Sequence, residues 1–193
     1  MSDEKNEKTY ENIHCNKGCC LFRVISYDKD LKIPYITCKD RIKKAGCFIY
    51  DSNHKKVLLV QSRGQLWGAP KGSVQDDESP LECALREVKE ETGLEVDPND
   101  FIDSIVIKSK AMYYFIDTDS TDINLFPQHF YGNDANGIGW VQVDCLIDLI
   151  QNGRLQINRH CKSLIEHVFN VEIKMYFHAK PSLLHTLIQS KTT

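Results

Sequence analysis

The sequence predicts an α/β (α+β) fold in which a mixed β-sheet is sandwiched between helices. Short runs rich in branched and aromatic residues recur along the chain, and helical patterns fall between and after them rather than in one block. No internal repeat, low-complexity stretch or convincing linker divides the 193 residues, a length that buries a sizeable core within one domain.

Residues 1–12 carry high charge and almost nothing apolar, so they are expected as a disordered leader, with residues 13–193 as a single domain. Strand-like runs follow at 20–26 (CLFRVIS), 33–37 (IPYIT), 45–50 (AGCFIY) and 56–61 (KVLLVQ). The turn cluster DSNHK makes a hairpin of the last two, and a second turn, SRGQ, leads into LWGAPKG. Ser79 then opens a helix. It forms a Ser-x-x-Glu capping box with Glu82, Pro80 takes the first helical position, where a missing N–H costs nothing, and Gly93 is placed to end the helix. Leu81, Ala84, Leu85 and Val88 give it a buried stripe. Beyond it, FIDSIVIK, AMYYFID and GIGWVQV read as strands, with a polar loop at 118–124, and DCLIDLIQNG, NRHCKSLIEHVF and PSLLHTLIQS read as helices.

The longest apolar runs fall far short of a bilayer span, and the first residues are unlike a secretory signal, which points to a cytoplasmic protein with no membrane partner. The eight cysteines have no regular framework and are read as reduced thiols. A zinc knuckle from Cys15, Cys19 or Cys20, and Cys38 is the other reading, although the spacing fits no well-known pattern. The net charge of -3 divides unevenly: residues 151–193 hold six Lys or Arg against two Asp or Glu, so they are +4 and the remainder is -7. This basic helical extension is either a plain surface or a face for a polyanion.

On the capped helix Glu87, Glu90 and Glu91 stand at i, i+3 and i+4, so the three carboxylates share one side, beside the apolar stripe. On an exposed helix such like-charge pairs cost only about 0.2–0.5 kcal/mol each, and no metal is required. In a cleft, at ~6 Å and an effective dielectric near 20, the cost rises to about 3 kcal/mol per pair. A divalent cation offsets it, and hard oxygen ligands suit Mg²⁺ or Mn²⁺.

The spacing decides between these readings. Gly72, Glu78, Arg86, Glu87, Val88, Glu90, Glu91, Gly93 and Leu94 fall at every fixed position of the Nudix box, so the chain resembles a Nudix hydrolase. With average residue frequencies such a coincidence has a probability on the order of 10⁻⁷. The resemblance implies the Nudix fold, with the catalytic loop-helix-loop at residues 72–94, and hydrolysis of a nucleoside diphosphate linked to another group. It also implies Glu87, Glu90 and Glu91 as metal ligands, with a backbone carbonyl near Lys71 and Gly72, and Mg²⁺ or Mn²⁺ as cofactor. Arg86 then orients a box carboxylate, and Glu78 either caps the helix or assists the metal site. Many members use a further acid six residues before a late Trp. Here that position holds Asp134 where Glu is usual, so Asp134 is a candidate base or a plain turn aspartate.

Substrate depends on pockets outside the box. The segment LWGAPKGSV carries Pro-Lys-Gly, as do the mRNA-decapping members and the animal-type diadenosine polyphosphate hydrolases, and it looks more like the decapping type. The resemblance, which covers roughly residues 44–145, therefore implies capped RNA as substrate, with methylguanosine diphosphate and 5′-monophosphate RNA as products. Dinucleoside polyphosphates and diphosphoinositol polyphosphates are the alternatives, and a nucleotide- or RNA-binding module is the non-enzyme one. Lys71 is the candidate phosphate contact, Arg63 either touches phosphate or serves its turn, and Trp67 either stacks on a base or packs in the core. Lys174 and Lys180 in the basic extension are the candidate RNA contacts.

Overall fold

The structure is a computed structural model and describes residues 10–15, 17–25, 42–62, 65–121, 125 and 135–173. The expected strand at 33–37 and helix at 181–190 lie outside these residues, as do Arg63, Asp134, Lys174 and Lys180.

Nine strands among the described residues form one sheet: β1 (Tyr10–His14), β2 (Leu21–Ile25), β3 (Lys44–Asp51), β4 (Lys56–Ser62), β5 (Trp67–Gly68), β6 (Lys71–Ser73), β7 (Phe101–Ile107), β8 (Ala111–Asp117) and β9 (Ala135–Gln142). Helices α1 (Pro80–Thr92), α2 (Val143–Gln151) and α3 (Arg159–Phe169) complete the fold. The strand order is β1-β2-β9-β4-β3-β8-β7. β3 and β8 run parallel and the other pairs antiparallel, so the sheet is mixed.

β3 and β4 form the expected hairpin only at its turn, where Tyr50 faces Val57 and Asp51 faces Lys56. Beyond that point the strands part: β3 continues along β8 from Lys44 to Tyr50, and β4 runs along β9 from Lys56 to Ser62. The fork is filled by the next segment of chain, with β5 paired to β4 and β6 paired to β3. The loop between β5 and β6, Ala69 and Pro70, is thereby held between two strands of the sheet, and the Cys47 N–H donates to the Pro70 carbonyl at 3.1 Å.

Alternation along the central strands sends side chains to two buried clusters. Phe48, Val57, Leu59, Tyr113, Phe115 and Val141 meet Leu146, Leu149 and Ile150 of α2 and Leu164 and Ile165 of α3. Ala45, Cys47, Ile49, Leu58, Val60 and Ile138 meet Cys83, Ala84 and Val88 of α1. Helices therefore cover both faces, which is why β3 and β4 read as near-continuous apolar runs.

Two boundaries differ from the sequence reading. The first strand begins at Tyr10, inside the stretch 1–12 expected to be disordered, because pairing with β2 satisfies its backbone without any demand for apolar side chains. In α1 the fully buried face is Cys83, Ala84, Val88, Glu91 and Thr92, whereas Leu81 and Leu85 are only partly buried.

Candidate active site

α1 starts and stops as its sequence dictates. The Ser79 hydroxyl accepts the Glu82 N–H at 3.2 Å, the Glu82 carboxylate accepts the Ser79 N–H at 2.8 Å, and Gly93 closes the helix in the left-handed region with φ 79°. These caps fix the axial position of every acidic side chain on the helix.

Glu91 departs from the sequence reading. It stands in line with the core stripe, at i+7 from Ala84 and i+3 from Val88, and is only 2% exposed. One of its carboxylate oxygens accepts the backbone N–H of Lys71 at 2.8 Å. The helix is thus tied directly to the segment that fills the fork. Glu87 is drawn to the same segment, since a Cβ built on Gly72 would coincide with its carboxylate. Only glycine leaves that space. Gly72→Ala is expected to displace Glu87 and lower kcat by roughly 10- to 100-fold, with a loss of stability near 1 kcal/mol; steady-state rates and a thermal melt on the same preparation check it.

Arg86 ties the carboxylates together. Its Nε and Nη2 donate to the two oxygens of Glu78 at 2.7 and 2.9 Å, and its Nη1 donates to Glu87 at 2.6 Å and Glu90 at 2.9 Å. Nη2 also donates to the Ser73 carbonyl at 3.1 Å, which joins the helix to β6. Burial opposes the charge of Glu78, but the bonds from Arg86 and from the Gln75 N–H outweigh it and hold this carboxyl below its ordinary range. The Arg86 guanidinium is held above its ordinary value, first by Glu78. Three carboxylates, Glu78, Glu87 and Glu90, thus converge on one guanidinium, and Glu91 on the same helix holds the Lys71 backbone alongside. Hard oxygen donors in excess of local positive charge are what a Mg²⁺ or Mn²⁺ ion requires, so these residues fit the metal that their pattern implies.

A second acidic group, Asp51, His54 and Asp119, lies at the turn end of β3. Asp51 is buried and already accepts the N–H groups of His54 and Ser120, both at 2.8 Å, and faces the His54 ring at 2.9 Å. It works as a staple for that turn.

Two residues beside the site, Tyr113 and His160, carried no signal in the sequence. The Gln156 carbonyl accepts the Trp67 N–H at 2.8 Å and the Trp67 carbonyl accepts the Asn158 N–H at 2.9 Å, which sets the start of α3 against β5. His160 then pairs its Nδ1 with the buried Tyr113 hydroxyl at 3.0 Å. Burial, followed by the nearby Lys71, Lys108 and Lys44 charges, pushes His160 below its ordinary value. Residues this far apart in the chain share no spacing rule, so only the strand order brings them together.

Trp67 is buried and packs edge-to-face with Phe22 at a centroid distance of 4.9 Å. It also lines a cleft of about 450 Å³, whose other walls include Ile13 and Phe22, Gln61 and Gln65, and Arg154 and Gln156. Among the described residues no helix is long and apolar enough to cross a membrane.

Comparison with known proteins gives the family and the fold. The NUDIX domain family matches residues 40–160. The 111R protein of Invertebrate iridescent virus 3, a hydrolase by name, is 38% identical over 153 residues, 74% of this chain and 84% of that protein. The mRNA decapping complex subunit 2 of Schizosaccharomyces pombe is 35% identical over 94 residues, which are 46% of this chain but only 13% of the yeast protein. Among solved structures, DR0079 from Deinococcus radiodurans superposes with a TM-score of 0.51 at 18% identity, over 76% of this chain and 90% of that one, a likeness of fold.

Proposed function

Because the chain belongs to the NUDIX domain family and is a pyrophosphohydrolase, we propose that it cleaves the diphosphate linkage of a capped RNA, releasing methylguanosine diphosphate and 5′-monophosphate RNA. The observation that carries the reaction is the acidic face of α1 clasped to the Lys71–Gly72 backbone through Glu91. The capped substrate is supported by the Pro70-Lys71-Gly72 loop and by relatives named as decapping proteins, of which the yeast subunit is one.

Glu87, Glu90 and Glu91 hold the divalent metal, whose chemistry when bound is to neutralise phosphate charge and sharpen a water nucleophile. Glu91 keeps the Lys71 backbone against the helix, which holds Lys71 beside the carboxylates as a point charge for a polyphosphate. Arg86 fixes the rotamers of Glu87 and Glu90 through its planar fork and absorbs their charge between turnovers. The cleft beside Trp67 has the size of a small-molecule pocket and offers amide groups from Gln61, Gln65 and Gln156 to the edge of a base. The apolar wall of that cleft keeps solvent from the bound base, and the amides give it orientation.

The test is incubation of the protein and its Glu90→Gln form with methylguanosine-capped RNA and Mg²⁺, with the released nucleotide identified by mass spectrometry. Methylguanosine diphosphate from the intact protein alone is the expected result. Release from diadenosine tetraphosphate but not from capped RNA would reassign the substrate to free dinucleoside polyphosphates.

A further inference from the structure

Four cysteine sulfurs meet at a place remote from the acidic helix. Cys15 follows β1, Cys19 and Cys20 precede β2, and Cys145 lies in the first turn of α2, yet the four sulfurs all lie within 4.8 Å of one another. Cys19 Sγ is 3.5 Å from Cys15 Sγ, 3.7 Å from Cys20 Sγ and 3.3 Å from Cys145 Sγ. A disulfide needs about 2.05 Å, and all four are free thiols. Zinc bonded to sulfur at about 2.3 Å gives a tetrahedron whose edges are about 3.8 Å, close to the observed spacings.

From this convergence we propose that Cys15, Cys19, Cys20 and Cys145 bind one structural Zn²⁺ ion. The spacing Cys15-x₃-Cys19 lies within the range of structural zinc turns. Two hydrogen bonds shape that turn, from the Cys15 N–H to the Cys20 carbonyl at 3.2 Å and from the Gly18 N–H to the Cys15 carbonyl at 3.0 Å. Gly18 takes a φ of 71°, a value costly for most other residues. The thiolates also have support. The backbone N–H of Gln142 donates to Cys20 Sγ at 3.3 Å, and Cys145 stands where the α2 dipole favours negative charge. Lys56 lines a small depression together with Cys19. Cys15, Cys20 and Cys145 are buried while Cys19 is exposed, so the ion has a way in.

The ion has a job in the fold. Among the described residues the β1–β2 hairpin joins the rest of the sheet through the β2–β9 ladder, whose four residue pairs run from Leu21 to Val24. A metal cross-link to α2 fixes the hairpin to the body of the domain. It also sets the width of the cleft, because Ile13 and Phe22 form one wall and Leu149 and Arg154, at and beyond the end of α2, form another. The zinc knuckle considered from the sequence used Cys38, which lies outside the described residues; Cys145, the fourth thiol of the cluster, is 125 residues from Cys20.

The experiment is elemental analysis of the full chain produced with Zn²⁺ and dialysed against chelator-treated buffer containing Mg²⁺. One zinc per chain is expected, with X-ray absorption showing four sulfurs at about 2.3 Å. Cys145→Ser and Cys15→Ser are expected to lose the ion, and Cys47→Ser, a buried thiol elsewhere, to keep it. Stripping the zinc is expected to lower Tm by roughly 5–10 °C with Mg²⁺ still present. The proposal is overturned if the unmutated protein holds no stoichiometric zinc. It is equally overturned if intact mass shows disulfides among these cysteines, or if absorption shows nitrogen or oxygen ligands in place of sulfur; none of these readings depends on how the variants fold.

Discussion

Glu91→Gln is expected to lower turnover by about 10³-fold or more while leaving the chain as stable as before, or more so. Glutamine matches glutamate in shape, so its side-chain oxygen can still accept the Lys71 N–H now held at 2.8 Å. What is lost is charge. Glu91 is only 2% exposed and shares its side of α1 with Glu87 and Glu90, so without a cation its charge opposes folding by about 3 kcal/mol per close pair at an effective dielectric near 20. Neutralising it relieves that repulsion. As a ligand of the proposed metal, Glu91 would be lost from the loaded enzyme by the same change, and losing about 4 kcal/mol of transition-state stabilisation corresponds to about 10³ in rate. Glu90→Gln should follow it in rate with a smaller change in stability, because the Glu90 side chain is 41% exposed. Hydrolysis rates with Mg²⁺, set beside thermal melts in metal-free buffer, separate the two effects. A variant that lost stability and activity in proportion would make Glu91 a packing residue, and a fully active one would remove it from the metal site.

That opposition between stability and function also explains how much of the site was legible in advance. The Ser79 cap and the Gly93 stop are local rules, satisfied within a few residues of chain, and the structure reproduces both of them. The three carboxylates on one side of α1 followed from the helical period alone. The burial of Glu91 did not, because helical spacing places it in line with Val88 while residue chemistry assigns it to water. The hairpin of β3 and β4 was legible at its turn, and the fork beyond it was not. Turn chemistry specifies where two strands begin to pair, but nothing local says that each will leave for a different partner. Tyr113 with His160, and the cysteine cluster, fail for the same reason: their members are brought together by strand order, and one sequence without that order offers no distance between them. Cysteine spacing at 15, 19 and 20 raised the metal question; Cys38, which that reading used, lies outside the described residues, and Cys145 joins the cluster only through the fold.

Arg86→Ala is expected to cost roughly 2–3 kcal/mol of stability at neutral pH in metal-free buffer, and most of that loss should be recovered by Mg²⁺. The guanidinium is one-quarter exposed and bonds to Glu78 and Glu87, each 12% exposed, and to Glu90. Removing one partner from a fully buried pair costs about 3–5 kcal/mol, which partial exposure reduces. The sign of the pH dependence follows from Glu78. Its carboxyl lies below the ordinary value in the folded chain, so its contribution is present above about pH 4.3, the unfolded value, and is lost as pH falls through the folded one. The gap between the intact protein and Arg86→Ala should therefore be widest near pH 7 and narrow below about pH 4. Arg86→Lys restores the charge but not the two-pronged contact with Glu78, so it should regain part of the stability and little of the rate. A divalent ion supplies what the alanine variant lacks, positive charge among the carboxylates, and so the Mg²⁺-dependent rise in Tm should be larger in Arg86→Ala than in the intact protein. Equal Mg²⁺ shifts would mean that the guanidinium and the metal act on separate groups, and the carboxylates that Arg86 holds would then not be the ones that bind the ion.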